Sequence, residues 1–257
     1  AASDVYKRQR LLAAPSLALS RSRAVACEMA QCAVRALNNA LRSFTEYTDT
    51  LARSIRDDEE RCDHYEDILG TYLVQLSARK MGVDESEEAT ELLKSIGDFE
   101  RISDHAVNIL ESAEELRGKS LAFSAAAARE YDVLAAAIGE ILDLSLRSFE
   151  RQDVALAELV EPVIDTLKEQ MRTRHILRMQ QGHCSIEAGF VWSDLLTNLE
   201  RTSDHCSNIA GCVIDAAQHN LNLHETLRAA HSDTHAFRSE FERYAAKYAL
   251  PAPASAQ

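Results

Sequence analysis

Apolar residues recur at three- and four-residue spacing along most of the chain. That is the period of amphipathic helices, not the two-residue alternation of half-buried strands. Six long helical stretches follow, at about 23–53, 55–80, 84–117, 124–151, 153–181 and 185–219, with a shorter one over 224–248. Their ends carry punctuation: Gly82 before an Asp84–Glu87 capping pair, Gly118, Ser124, Asp153 and Ser185 as caps, and Gly182 as a stop. Pro162 falls inside the fifth stretch, where it is expected to kink the helix and free the carbonyl of Glu158. Long helices joined by short loops fold back on one another. The chain therefore reads as all-α, with two tandem antiparallel three-helix bundles and a short C-terminal helix. Residues 1–22 form an N-terminal junction, expected to be partly disordered. The bundles occupy 23–118 and 124–220, and the C-terminal helix 224–248.

The second bundle repeats the first. Aligning 97–110 with 197–210 gives seven identities in fourteen positions, Glu, Arg, Ser, Asp, His, Asn and Ile. Self-similarity at a fixed period marks a duplicated unit. The retained residues are mostly polar and charged, which core packing alone does not require.

Around the third helix, Leu93, Ile96, Ser103, Asp104 and Val107 fall within about 60° of Glu100, with Phe99 and Leu110 flanking. Glu100 and Asp104 thus sit among apolar residues. Glu200 and Asp204 repeat the arrangement among Leu196, Leu199, Ser203, Ser207 and Ile214. The preceding helix of each unit adds a pair at the same spacing, Glu59 with Asp63 and Glu161 with Asp165. A lone pair of this kind is usually a solvated helix face. Four copies at matched positions point instead to metal, because converging carboxylates on a packed face need a cation. An all-oxygen set suits hard cations: iron, manganese, magnesium or calcium. Zinc, which takes Cys and His, is disfavoured. His105 and His205 point about 100° from the neighbouring Asp. With Asn108 and Asn208 they are candidates for the shell behind the ligands. His64, His175, His183 and the group His224, His231 and His235 read as solvent-exposed, and Arg101 and Arg201 as partners of nearby acids.

Composition narrows the function. The net charge of −13 argues against a nucleic-acid surface and suits a cation or a basic partner. The six cysteines show neither C-x-x-C nor finger spacing and read as reduced, small buried residues. No run of about 18 apolar residues is present to span a membrane. The chain begins with Ala rather than Met, so a preceding segment is expected. No His has a Glu three residues before it, which opposes a ferritin- or oxidase-type di-iron enzyme. No nucleophile constellation or phosphate loop is visible either. A purely structural helical adaptor stays open.

The duplicated E-x-x-x-D device on paired helices resembles the PhoU family of phosphate-uptake regulators. The run from Tyr65 to Val74 (YEDILGTYLV), the run from Ile96 to Asn108 and Leu195-Leu196-Thr197-Asn198-Leu199-Glu200-Arg201 are similar to the PhoU-like cytoplasmic domain of bacterial sodium/phosphate cotransporters. The resemblance covers roughly 24–250. It implies two three-helix bundles and multinuclear metal clusters, chiefly iron, on Glu59, Asp63, Glu100 and Asp104 and on Glu161, Asp165, Glu200 and Asp204. It implies no catalysis. The partner would be the membrane half of a sodium/phosphate carrier or, for a free-standing regulator, a phosphate ABC transporter and sensor kinase. A homodimer is compatible with either. The implied location is the cytoplasmic face of the plasma membrane, reached through an N-terminal membrane region absent from this sequence.

Overall fold

The computed structural model describes residues 14–160, 163–218 and 242–251. Among these the chain is helical throughout, without strands. Helix α1 spans Pro15–Arg42, α2 Asp49–Ser77 and α3 Val83–Gly118. Helix α4 spans Ala125–Arg151, α5 is the single turn Val154–Ala157, α6 spans Val163–Gln180 and α7 Ile186–Gln218.

Helix α1 starts earlier than the expected Arg23. Pro15 opens it, where a missing N–H and a fixed φ cost nothing, and Ala18, Leu19 and Ser22 are already buried. It also ends earlier than expected. Ser43 Oγ donates to the carbonyl of Ala40 at 2.6 Å and Thr45 Oγ1 to that of Arg42 at 3.1 Å. The same carbonyls also accept backbone N–H groups, Ala40 from Ser43 and Arg42 from Thr45 and Glu46, so the chain tightens as the helix ends. Thr48 then caps α2, accepting from the Leu51 N–H at 3.1 Å. The cap of α3 is also displaced from the expected Asp84–Glu87 pair. The Gly82 N–H donates to Glu85 Oε2 at 3.0 Å.

Ser124, Asp153 and Ser185 cap α4, α5 and α7 as their sequence positions predict. The expected continuous helix over 153–181 is divided into α5 and α6. Glu161 and Pro162 lie outside the described residues, and so does the expected kink. Of the expected 224–248 helix, residues 242–247 are described and helical. His224, His231 and His235 fall outside the described residues.

Helices α1, α2 and α3 pack mutually, as do α4, α6 and α7, and the two triplets meet through α3 against α7 and α1 against α4. One apolar core runs through both. Phe99 of α3 meets Phe149 of α4 edge-on, centroids 5.0 Å apart. Tyr131 of α4 donates to the Leu41 carbonyl of α1 at 2.6 Å. All six cysteines are free, and Cys32, Cys62, Cys206 and Cys212 are buried. Among the described residues no helix is long and apolar enough to cross a membrane.

Candidate functional site

Residues four apart on a helix share a face, and the α2–α3 hairpin turns two such faces toward each other. Carboxylate oxygens of Glu59 and Asp63 from α2 and of Asp104 from α3 lie within 4.8 Å of one another. Glu100, one turn before Asp104, lies beside the Asp104 carboxylate but outside this trio, and Asp63 is exposed. The buried stripe of α3 runs through Ile96, Phe99, Ile102, Ala106 and Ile109. Glu100 and Asp104 therefore lie at its edge, with side chains 19% and 31% exposed, and not at its centre.

The electrostatics are those of an under-neutralised site. Burial, then the Asp104 carboxylate beside it, pushes the Glu100 carboxyl up to about 7. Burial, then Asp63 and Asp104, raises Glu59 as well. The cation at hand is Arg101, 3.4 Å from both Glu100 and Asp104 but largely exposed. Asp58, buried in α2 next to Glu59, differs: Arg35 grips it with two hydrogen bonds of 2.8 and 2.6 Å. The first cluster thus has the donor chemistry of a hard-cation site, with several carboxylate oxygens, partial burial and little internal counter-charge.

In the second unit Asp165 of α6 and Glu200 of α7 are near enough to act on Asp204, but the three do not close to 4.8 Å as the first trio does, and Asp165 and Asp204 are exposed. Burial, then Asp165 and Glu200, raises the Asp204 carboxyl. Glu161 lies outside the described residues. A lysine absent from the sequence-based site, Lys168, is ion-paired to Glu200.

The side chains expected behind the ligands point elsewhere. His105 Nδ1 is 2.9 Å from Asn198 Oδ1, and His205 Nδ1 is 2.8 Å from Asp98 Oδ1. Asn208 Nδ2 also donates to Asp98, at 3.2 Å. The two rings face each other with centroids 5.6 Å apart. These residues clasp α3 to α7, and exchanging the repeats exchanges one hydrogen bond for the other. Asn108 is exposed.

His64 and His183 are exposed as expected, but His175 is buried. A shift of 102 residues explains it. Cys62, Leu69, Leu73 and Leu76 map onto Ile164, Met171, His175 and Arg178, and all eight are buried. His175 and Arg178 thus occupy leucine positions of the core. The same shift, applied to the sequence, would have found them.

A model of the PhoU domain matches residues 26–113 and 132–213. The phosphate-specific transport system accessory protein PhoU homolog 1 of Thermotoga maritima is 26% identical over 200 residues, 76% of this chain and 85% of that protein. PhoU homolog 2 of the same organism is 25% identical over 182 residues, 66% of this chain and 73% of that protein. Among solved structures, the phosphate transport system regulatory protein PhoU from Streptococcus pneumoniae superposes with a TM-score of 0.68 at 18% identity, covering 80% of this chain and 98% of that one. PhoU from Pseudomonas aeruginosa gives 0.65 at 21% identity, covering 84% and 99%. At these identities the two structures speak for the fold.

Proposed function

This chain belongs to the PhoU family, and from that premise we propose that it is a non-catalytic regulator of phosphate transport. The observation that carries the reading is where the family match falls. Its two segments coincide with the two repeats. The first contains Glu59, Asp63, Glu100 and Asp104, and the second Asp165, Glu200 and Asp204. Family members are regulatory accessory proteins rather than enzymes. The relatives named above are accessory proteins of phosphate-specific transport systems and match along most of their length. They favour a free-standing regulator acting on a phosphate ABC transporter and its sensor kinase.

Metal is part of the proposal. Glu59, Asp63, Glu100 and Asp104 would hold a hard cation, iron before manganese, magnesium or calcium. When bound, the cation supplies charge neutralisation and a cross-link between α2 and α3. The residues themselves present carboxylates from both helices at one edge of the α2–α3 pair.

The motif runs over 65–74 and 96–108 support a second reading, a regulatory domain attached to a sodium/phosphate cotransporter. Protein–protein crosslinking in cells separates the two by whether the trapped partner is an ABC-transporter or sensor-kinase component, or a sodium-coupled carrier.

The test is phosphate uptake, together with a phosphate-starvation reporter, in cells lacking their own copy. The full-length protein should restore the phosphate response. A variant with the motif carboxylates changed to amides should not, at equal expression. Identical responses with the protein, the variant and an empty vector would overturn the regulatory reading.

A further inference from the structure

The two carboxylate clusters are chemically unequal. The 102-residue shift that aligns Cys62 with Ile164 and Leu69 with Met171 in the core also aligns Glu59 with Glu161 and Asp63 with Asp165. The next residue on that face is Glu66 in α2 and Lys168 in α6. One repeat thus has a carboxylate where the other has an ammonium.

Geometry shows what the ammonium does. Lys168 Nζ is ion-paired to Glu200, and the lysine side chain is only 17% exposed. Glu66, in contrast, lies along its own helix, with Oε1 3.5 Å from where a Cβ on Gly70 would stand. The cation serving the first cluster, Arg101, is 62% exposed, and its contacts with Glu100 and Asp104 are longer. A largely exposed guanidinium is screened and mobile, whereas a mostly covered ammonium in contact is neither.

We propose that Lys168 is a tethered counter-ion of the second cluster, so that the two repeats differ in their need for metal. This rests on the metal-binding reading of the carboxylates given above. The first cluster takes a hard cation from solution. The second carries one tethered positive charge on Glu200, and a cation entering there must displace Lys168 from Glu200 or bind against its charge. Because the ammonium is attached, it competes at a high effective concentration that dilution does not lower. One unit charge at contact distance in a half-screened site should weaken binding by roughly tenfold or more.

The experiment uses the full chain, stripped with chelator and titrated with Mn2+, with binding followed calorimetrically and unfolding followed by circular dichroism. Wild type should bind Mn2+ tightly at the first cluster, and Glu100→Gln with Asp104→Asn should remove that binding. Lys168→Met should melt lower than wild type in chelator, recover with Mn2+, and gain a further tight site. Glu66→Lys is the reciprocal test and stays informative should Lys168→Met fail to fold. It should weaken Mn2+ binding at the first cluster by roughly tenfold or more. Unchanged melting and binding in Lys168→Met, or unchanged binding in Glu66→Lys, would overturn the counter-ion role while leaving metal at the first cluster standing. A wild type without Mn2+ binding, beside a Lys168→Met variant that melts lower in chelator and gains a site, would overturn the metal reading of the first cluster and keep the role of Lys168.

Discussion

His205 Nδ1 meets Asp98 Oδ1 at 2.8 Å across the α3–α7 contact, and its counterpart, His105 Nδ1 to Asn198 Oδ1 at 2.9 Å, recurs with the repeats exchanged. The acceptor is a carboxylate on one side and its isosteric amide on the other. The contact therefore joins the repeats by a near-two-fold clasp, and it lies one residue from Asp104 and Asp204 in the sequence.

Asp98→Ala leaves His205 and Asn208 without their shared acceptor. It should lower stability by about 1–3 kcal/mol, the cost of stranding partly buried polar groups. Asp98→Asn reproduces the chemistry of Asn198 and should cost less. Urea unfolding of both variants beside wild type checks the order.

The pH dependence of the metal-free protein should carry the sign of Glu100. Its folded pKa, about 7, lies above the ordinary 4.5 because of burial and Asp104. A raised carboxyl contributes stability that is fully present below the unfolded pKa and lost as pH rises through the folded one. Glu100→Gln in chelator should thus melt like wild type near pH 4.5 and above it by pH 8. Saturating metal should reverse the order at pH 8, because the ligand is then missing. Melting curves at the two pH values decide it.

His175 stands at the core position that Leu73 holds in the first repeat, and neither ring nitrogen has a hydrogen-bond partner among the described residues. Burial, with Arg178 nearby, holds its pKa below 6.5. A depressed histidine contributes stability that is present above the unfolded pKa and lost as pH falls. His175→Leu should raise stability by about 1 kcal/mol and flatten the loss between pH 7 and pH 5. A variant less stable than wild type at both pH values would contradict this.

Phe99 is fully buried and meets Phe149 edge-on. Phe99→Ala should cost about 3–5 kcal/mol and reduce unfolding cooperativity, since the contact joins α3 to α4. Denaturant titration with its slope measures both effects.

The helices, most of their caps and the approach of Glu59 and Asp63 to Asp104 are legible because periodicity and repetition state them directly. Ser124, Asp153 and Ser185 each precede an apolar-periodic run, and each caps it. The break between α1 and α2 was not legible. Neither Gly nor Pro marks residues 43–48, and the helix ends instead on the hydroxyls of Ser43 and Thr45. The roles of His105 and His205 needed tertiary structure, because their partners, Asn198 and Asp98, come from the other repeat. Lys168 is not legible from the E-x-x-x-D pattern, which states acids alone, whereas the residue that distinguishes the two units is a base one turn further on.

Cation binding by Glu59, Asp63, Glu100 and Asp104 is the premise of both the regulatory and the counter-ion proposals. Metal analysis of the full chain, purified without chelator and supplied separately with iron, manganese and magnesium, tests it. Wild type should retain metal, and most of it should be lost when these four residues become Gln, Asn, Gln and Asn, with the helical fold intact. Equal metal content in the two proteins, or none in either, would contradict the account.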